Sequence, residues 1–341
     1  MNKAGRIISI NPKLAIPNGE IVIDCEGFHV GENRDHGVLF DDIPGRVLAA
    51  SDRRLIVSVP ETADSAEVLV HLVSGGERSD AATLTVGRKL VDDIHIVANP
   101  AIDPKDGSII VTRSGGRGQQ LPVTLFRIDR DGFVSEIAAS VLNPTGIAFD
   151  RKGRMFVTNR ADGKVLSIER DEEAVEYAGN LGTATGIAFD DDGAMYVGDR
   201  AGTIYRVSEF GESETVTTLE PSVAAYHLAF GIDGRLFVTA PGLSSFDSVY
   251  AVDPGGFDVK FFKGLGRPQG LAFDNDGNLY VAACLAGRRG IVRIAAAGVK
   301  ADLMVAGNNV VGLCFGPNGE LYVATNQALY VLETGIRGKP L

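Results

Sequence analysis

One alternation of apolar, small and turn-forming positions recurs through the second half of the chain. It reads G-I-A-F-D-x-x-G-x-M-F-V from Gly146, G-I-A-F-D-x-x-G-x-M-Y-V from Gly186 and H-L-A-F-G-x-x-G-x-L-F-V from His227. It returns as G-L-A-F-D-x-x-G-x-L-Y-V from Gly270 and G-L-C-F-G-x-x-G-x-L-Y-V from Gly312. The spacing of about 40 residues suits one four-stranded antiparallel unit per copy. In the copy from Gly146, Gly146 to Phe149 reads as an innermost strand and Asp150-x-x-Gly153 as a tight hairpin. Met155 to Thr158, Lys164 to Glu169 and Ala174 to Tyr177 read as the second, third and outer strands. Large apolar residues alternating with small or polar ones are what strands packed face to face require.

A degenerate copy from Ile96 to Val111 brings the count to six units, and the last one stops after three strands, Val311 to Phe315, Leu321 to Thr325 and Ala328 to Leu332. Leu90 to Ile96, just ahead of the first unit, is the expected donor of the missing outer strand, pairing with Ala328–Leu332. That closes a ring and leaves no sheet edge exposed. Residues 1–87 carry a different pattern: Ile8 to Ile10, Glu20 to Asp24, Val38 to Phe40, Leu55 to Val59, Glu67 to Leu72 and Ala82 to Val86 read as short strands. Turn signals such as Pro17-Asn18-Gly19 and Gly75-Gly76 separate them, the pattern of a small β-sandwich. The expectation is an all-β chain: an immunoglobulin-like β-sandwich over residues 1–87, then a six-bladed β-propeller over 88–341, closed by its own N-terminal strand.

Composition agrees, with 45% hydrophobic residues, 42 glycines and no tryptophan. A net charge of −11, without a basic stripe, argues against a nucleic-acid partner. Cys25, Cys284 and Cys314 lie far apart in apolar runs and read as small hydrophobes rather than metal ligands or a disulfide framework. No stretch reaches membrane-spanning length, and Met1 to Pro17 has no continuous apolar run after its basic residues, so the expected compartment is the cytoplasm, without a membrane partner.

The order Ile7 to Pro12, Asn18 to Phe28, Val38 to Phe40, Leu55 to Pro60 and Val68 to Ser79 resembles an IPT/TIG domain, which implies attachment or interaction rather than catalysis. The G-[IL]-A-F-D-x-x-G-x-[LM]-[YF]-V phrase resembles NHL-repeat propellers and the gluconolactonase/senescence-marker-protein superfamily of six-bladed propellers. Lactonases of that superfamily hold a divalent metal at the channel mouth through Glu, Asn and Asp at the starts of innermost strands. Carried onto this chain, the glutamate place is Ala98, and the places before the repeat glycine are Thr145, Thr185, Tyr226, Gln269 and Val311, with His227 in place of the fourth glycine. No carboxylate remains among them to recruit a hard cation, so no metal and no cofactor is expected. Only His95 and His227 fall in the propeller, too few for three-histidine zinc coordination, and no G-x-S-x-G elbow is present.

The candidate binding positions are therefore the polar residues leading into the inner strands: Thr145, Thr185, Tyr226, His227, Arg267, Gln269, Asn308 and Asn309. No catalytic residue is assigned. Asn159 and Asp199 read as caps of the turn into the third strand or as a polar pair at the rim, and the Gly-rich Arg113–Gln120 as a rim loop or an anion cradle. Two functions remain open: a propeller that binds a small polar ligand or a protein or peptide partner, and a lactonase- or esterase-type hydrolase acting at the channel mouth.

Overall fold

A computed structural model describes residues 4–29, 36–61, 66–116, 119–170 and 172–339. Every regular element among them is a β-strand. From residue 88 onward the strands form antiparallel meanders of four. The second meander runs Pro144–Phe149, Met155–Asn159, Lys164–Glu169 and Glu173–Ala178. The third repeats this order from Ala184–Phe189 to Ser213–Thr218, and the first does so from Ala101–Ile102 to Val134–Glu136. The fourth spans His227–Phe230 to Asp258–Gly266, and the fifth Leu271–Phe273 to Ala301–Ala306. In the sixth, Val310–Phe315, Glu320–Thr325 and Leu329–Glu333 are joined by Arg88–Val91 from the other end of the chain. That closing strand begins two residues earlier than expected. It ends early too: Ile94 still donates its N–H to the Gln327 carbonyl at 3.2 Å, but Ile96 has already turned to bridge Arg113.

The repeated phrase has a packing reason. In the second to fifth meanders the aromatic of the second strand meets the phenylalanine of the next meander's inner strand. Phe156 packs on Phe189 (5.4 Å between centroids), Tyr196 on Phe230 (5.0 Å), Phe237 on Phe273 (4.8 Å) and Tyr280 on Phe315 (5.1 Å). Edge-on and tilted pairs of this kind add about 0.5–1.5 kcal/mol each beyond the area they bury. The aspartate of D-x-x-G holds the hairpin closed: Asp150, Asp190 and Asp274 each accept backbone N–H bonds from the residues two and four positions on. The sheet arrangement is that of a propeller.

Before residue 88, one ladder orders Arg6–Asn11, Glu20–Glu26, Arg54–Ser58 and Ile43–Ala50; the other places Glu67–Ser74 between His36–Phe40 and Ala82–Val86. Ile43–Ala50, absent from the expected strands, pairs with both ladders. Its side chains are mostly exposed, so it carries no apolar alternation to reveal it. These ladders are not separate from the meanders. Leu14–Ala15 adds in parallel to Ala82–Val86 on one side and to Ala301–Ala306 on the other, and Leu265 and Gly266 pair with Leu285 and Cys284, so the fourth and fifth meanders and the N-terminal strands join in one large mixed sheet. Ile16 is fully buried in the core shared by the fifth and sixth meanders.

Candidate functional site

Successive inner strands lie side by side in chain order, and the sixth returns to the first. A cavity of ≈ 260 Å³ touches all six of them and therefore lies on the common axis. Its wall comes from the last residues of each inner strand: Ile147–Phe149, Ile187–Phe189, Ala229–Phe230, Leu271–Phe273 and Leu313–Phe315, with Ala101 and Ile102. The cavity thus opens among the D-x-x-G hairpins, at the end opposite the positions singled out from the sequence. Arg151, Asp190, Asp191 and Lys339 provide charge at its margin. Cys314 lines it too, and burial pushes that thiol up, which keeps it protonated and poorly nucleophilic.

Two segments far apart in sequence shape this space. Asn99 bridges the fifth and sixth inner strands: its Nδ2 donates to the Leu271 carbonyl at 2.8 Å and its Oδ1 accepts the Leu313 N–H at 3.1 Å. The C-terminal tail crosses the hairpin end. Asn275 donates its N–H to the Arg337 carbonyl (3.0 Å), Lys339 donates its own to Phe273 (2.9 Å), and Gly338 lines the cavity. Lys339 Nζ then reaches Asp191 of the third meander at 3.1 Å, so the tail straps one side of the opening to another. Neither Asn99 nor Lys339 was singled out from the sequence. Asn99 sits in a short A-N-P step with no motif, and the tail's path depends on contacts with distant hairpins.

At the opposite end, Thr145, Thr185, Tyr226 and His227 are buried, at 3%, 2%, 0% and 6% exposure. Much of their polar capacity goes to neighbouring backbone. Thr112 Oγ1 donates to the Thr145 carbonyl (2.9 Å), Thr158 Oγ1 donates to the Thr185 carbonyl (3.1 Å), and Thr239 Oγ1 donates to the Gln269 carbonyl. Tyr226 donates its N–H to Thr185 Oγ1 (2.9 Å) and its hydroxyl to the Glu220 carbonyl. Gln269 is half-buried, and its Nε2 lies 3.4 Å from the Val310 carbonyl. Arg267 and Asn309 are exposed, whereas half-buried Asn308 donates to the Asn18 carbonyl at 2.7 Å and ties the fifth-to-sixth connection to the N-terminal strands. Burial pulls His227 down to about 4, so it is neutral at pH 7. The Thr145 hydroxyl is buried without a hydrogen-bond partner. Asn159 and Asp199 cap their turns: Asn159 Oδ1 accepts from Ala161 at 3.1 Å, and Asp199 Oδ1 accepts from Thr183 and Ala201 at 2.8 and 3.0 Å.

Among the described residues no group of three or more His, Cys, Asp or Glu side chains is placed to share a metal ion. Arg117 and Gly118 of the Gly-rich loop lie outside the described residues.

No protein-family profile and no curated protein matches the chain. Solved structures do. A provisionally assigned gluconolactonase shares 17% identity over 75% of this chain and 94% of its own, with a TM-score of 0.61. An auxiliary nutrient binding protein from Bacteroides thetaiotaomicron shares 13% over 97% of this chain and 98% of its own, at 0.57. Virginiamycin B lyase from Staphylococcus aureus shares 14% over 72% and 98%, at 0.50. Likeness at this level of identity shows the fold, a β-propeller.

Proposed function

We propose that this protein is a binding protein built on a six-bladed propeller, residues 88–341, with an immunoglobulin-like IPT/TIG-type module at residues 1–87, and that it captures a small ring-bearing organic molecule in the axial cavity. The observation that carries this reading is a single cavity touching all six inner strands and walled mainly by apolar and aromatic side chains. Its ≈ 260 Å³ lies just below the range of about 300–1,000 Å³ usual for small-molecule pockets, which favours a compact ligand. Phe149, Phe189, Phe230, Phe273 and Phe315 offer ring faces and edges to such a molecule. The remaining proton and lone pair of Asn99 offer it one point of orientation. The likeness in fold to an auxiliary nutrient binding protein along nearly the whole of both chains supports binding as the role.

The hydrolase alternative needs a nucleophile or an activated water at the reacting centre. The cavity wall holds a protonated thiol, and its aspartates stand at the rim, where Asp190 caps its hairpin and Asp191 pairs with Lys339. The test is a calorimetric and thermal-shift screen of small aromatic and cyclic organics, run beside a turnover assay on sugar lactones and aryl esters. Ala272→Leu fills the cavity and is expected to abolish binding while leaving the fold intact. A ligand that binds equally well to Ala272→Leu sinks the axial-cavity reading, and lactone or ester turnover lost in that variant establishes the hydrolase instead.

A further inference from the structure

In five of the six meanders the hairpin between the first and second strands closes on a carboxylate that a side-chain cation or amide holds. Arg127, Arg154, Arg235, Asn278 and Asn318 donate to the hairpin carboxylates of the first, second, fourth, fifth and sixth meanders at 2.7–3.0 Å. The third hairpin departs from this pattern. Asp190 holds the place of Asp150 and Asp274, and its Oδ1 accepts the N–H groups of Asp192 (3.0 Å) and Ala194 (2.8 Å). Where Arg154 and Asn278 stand four residues on, the third copy has Ala194, whose methyl group donates nothing. Among the described residues no cation or amide side chain reaches the Asp190 carboxylate. Its side-chain neighbour is the Tyr196 phenol, which burial first and the charge of Asp190 next push up. A single phenol proton leaves most of the lone pairs of a carboxylate free. Of the six hairpin carboxylates, Asp190 is also the one that lines the axial cavity. A local break in a structural pattern, placed at a cavity, marks a functional position.

The other charges at the margin do not supply what Asp190 lacks. Asp191 and Lys339 satisfy each other at 3.1 Å. Arg151 reaches the margin from an exposed position, and its side chain bonds to no described residue. The Asp190 carboxylate, by contrast, is half-buried and fixed by its two backbone N–H bonds. A fixed anion beside an apolar wall is pre-organised to accept a charge-assisted hydrogen bond.

We infer that the axial cavity takes a ring-bearing organic cation, with its ring against the apolar wall and its ammonium group on the Asp190 carboxylate. This rests on the axial cavity being the binding site, and adds the charge of the ligand. The surroundings favour the same sign: Asp190, Asp191 and Asp192 follow one another in this hairpin, and the net charge of the chain is −11.

The experiment titrates the full chain calorimetrically, at pH 7 and fixed ionic strength, with benzylamine, benzyl alcohol and benzoate, which share a ring and differ in charge. Benzylamine is expected to bind about tenfold or more tightly than benzyl alcohol, the scale of one charge-assisted hydrogen bond, and benzoate least tightly. Asp190→Asn keeps an oxygen to accept the two backbone N–H groups, and should erase the preference for the amine while leaving benzyl alcohol unchanged. Asp192→Asn, which removes a carboxylate of the same hairpin that does not line the cavity, should leave the preference intact. Ala272→Leu should abolish binding of every compound. Should Asp190→Asn fail to fold, the three wild-type affinities decide. Equal affinity for amine and alcohol, tighter binding of benzoate, or a preference that survives Asp190→Asn overturns the inference and leaves the axial-cavity reading standing. Binding of none of the three, or binding indifferent to Ala272→Leu, overturns both.

Discussion

The Oδ1 of Asn99 stands where Gly270 has no side chain: a Cβ built on Gly270 would lie 1.8 Å from that oxygen and 2.6 Å from the Cα of Gly312. The repeat glycine of the fifth meander is thus a requirement of close approach, since Asn99, just ahead of the first inner strand, inserts its amide against the fifth and sixth. Gly270→Ala is expected to cost about 2–4 kcal/mol in urea unfolding, the range of a buried clash. Asn99→Ala removes one obstacle but leaves the Gly312 backbone, so the double variant should recover only part of the loss. Full recovery would show that Asn99 alone sets the constraint.

The threonines ending several second strands tie neighbouring meanders together. Thr158 Oγ1 accepts the Gly146 N–H at 2.8 Å and donates to the Thr185 carbonyl at 3.1 Å. Thr158→Val keeps the shape and removes both bonds, which should cost about 1–3 kcal/mol. Thr145→Val deletes a buried hydroxyl that has no partner, and should be neutral or slightly stabilising. Equal losses for the two valines, measured by chemical denaturation, would show that the hydrogen bonds to Thr158 are not what distinguishes them.

These contacts also mark how far the sequence could be read. Copies in register announce the meanders, because the second to the fifth each supply a phenylalanine or tyrosine to the next, as Phe156 does to Phe189. The closing strand was legible because the last copy visibly lacks a partner for Leu329–Glu333. The polar residues before the repeat glycines were legible as polar, but polarity alone does not tell a ligand contact from a backbone tie; Thr185 turns out to hold Tyr226. The axial cavity lies at the other end because its shape depends on Asn99 and Lys339, which meet the inner strands and hairpins across long sequence separations. Periodicity within a repeat carries no trace of such contacts.

The tail strap should control entry to the cavity. Lys339→Ala removes a partly exposed ion pair and is expected to change stability by no more than about 1 kcal/mol. It should nevertheless quicken uptake of a hydrophobic dye, because Asp191 is then unlinked from the tail. Removing residues 337–341 also deletes the hydrogen bonds to Asn275 and Phe273, and should raise equilibrium dye binding as well. Stopped-flow fluorescence reads both quantities; identical uptake in wild type and truncation would mean that the strap does not gate the cavity.

His227 makes stability depend on mild acidity. Burial holds its folded pKa at about 4, below the ordinary histidine value near 6.5, so the unfolded chain binds the proton more readily. The stabilisation is therefore fully present above about pH 6.5 and is lost progressively as pH falls toward the folded value. At pH 5 the expected loss from this one group is about 2 kcal/mol relative to pH 7. Glycine stands at this position in four other copies, so His227→Gly is the variant the fold already tolerates elsewhere. Urea midpoints measured at pH 7 and pH 5 should separate widely in the wild type and much less in His227→Gly. If the two proteins lose stability in parallel between those pH values, the imidazole is not held neutral by burial and the acid sensitivity belongs to the carboxylates.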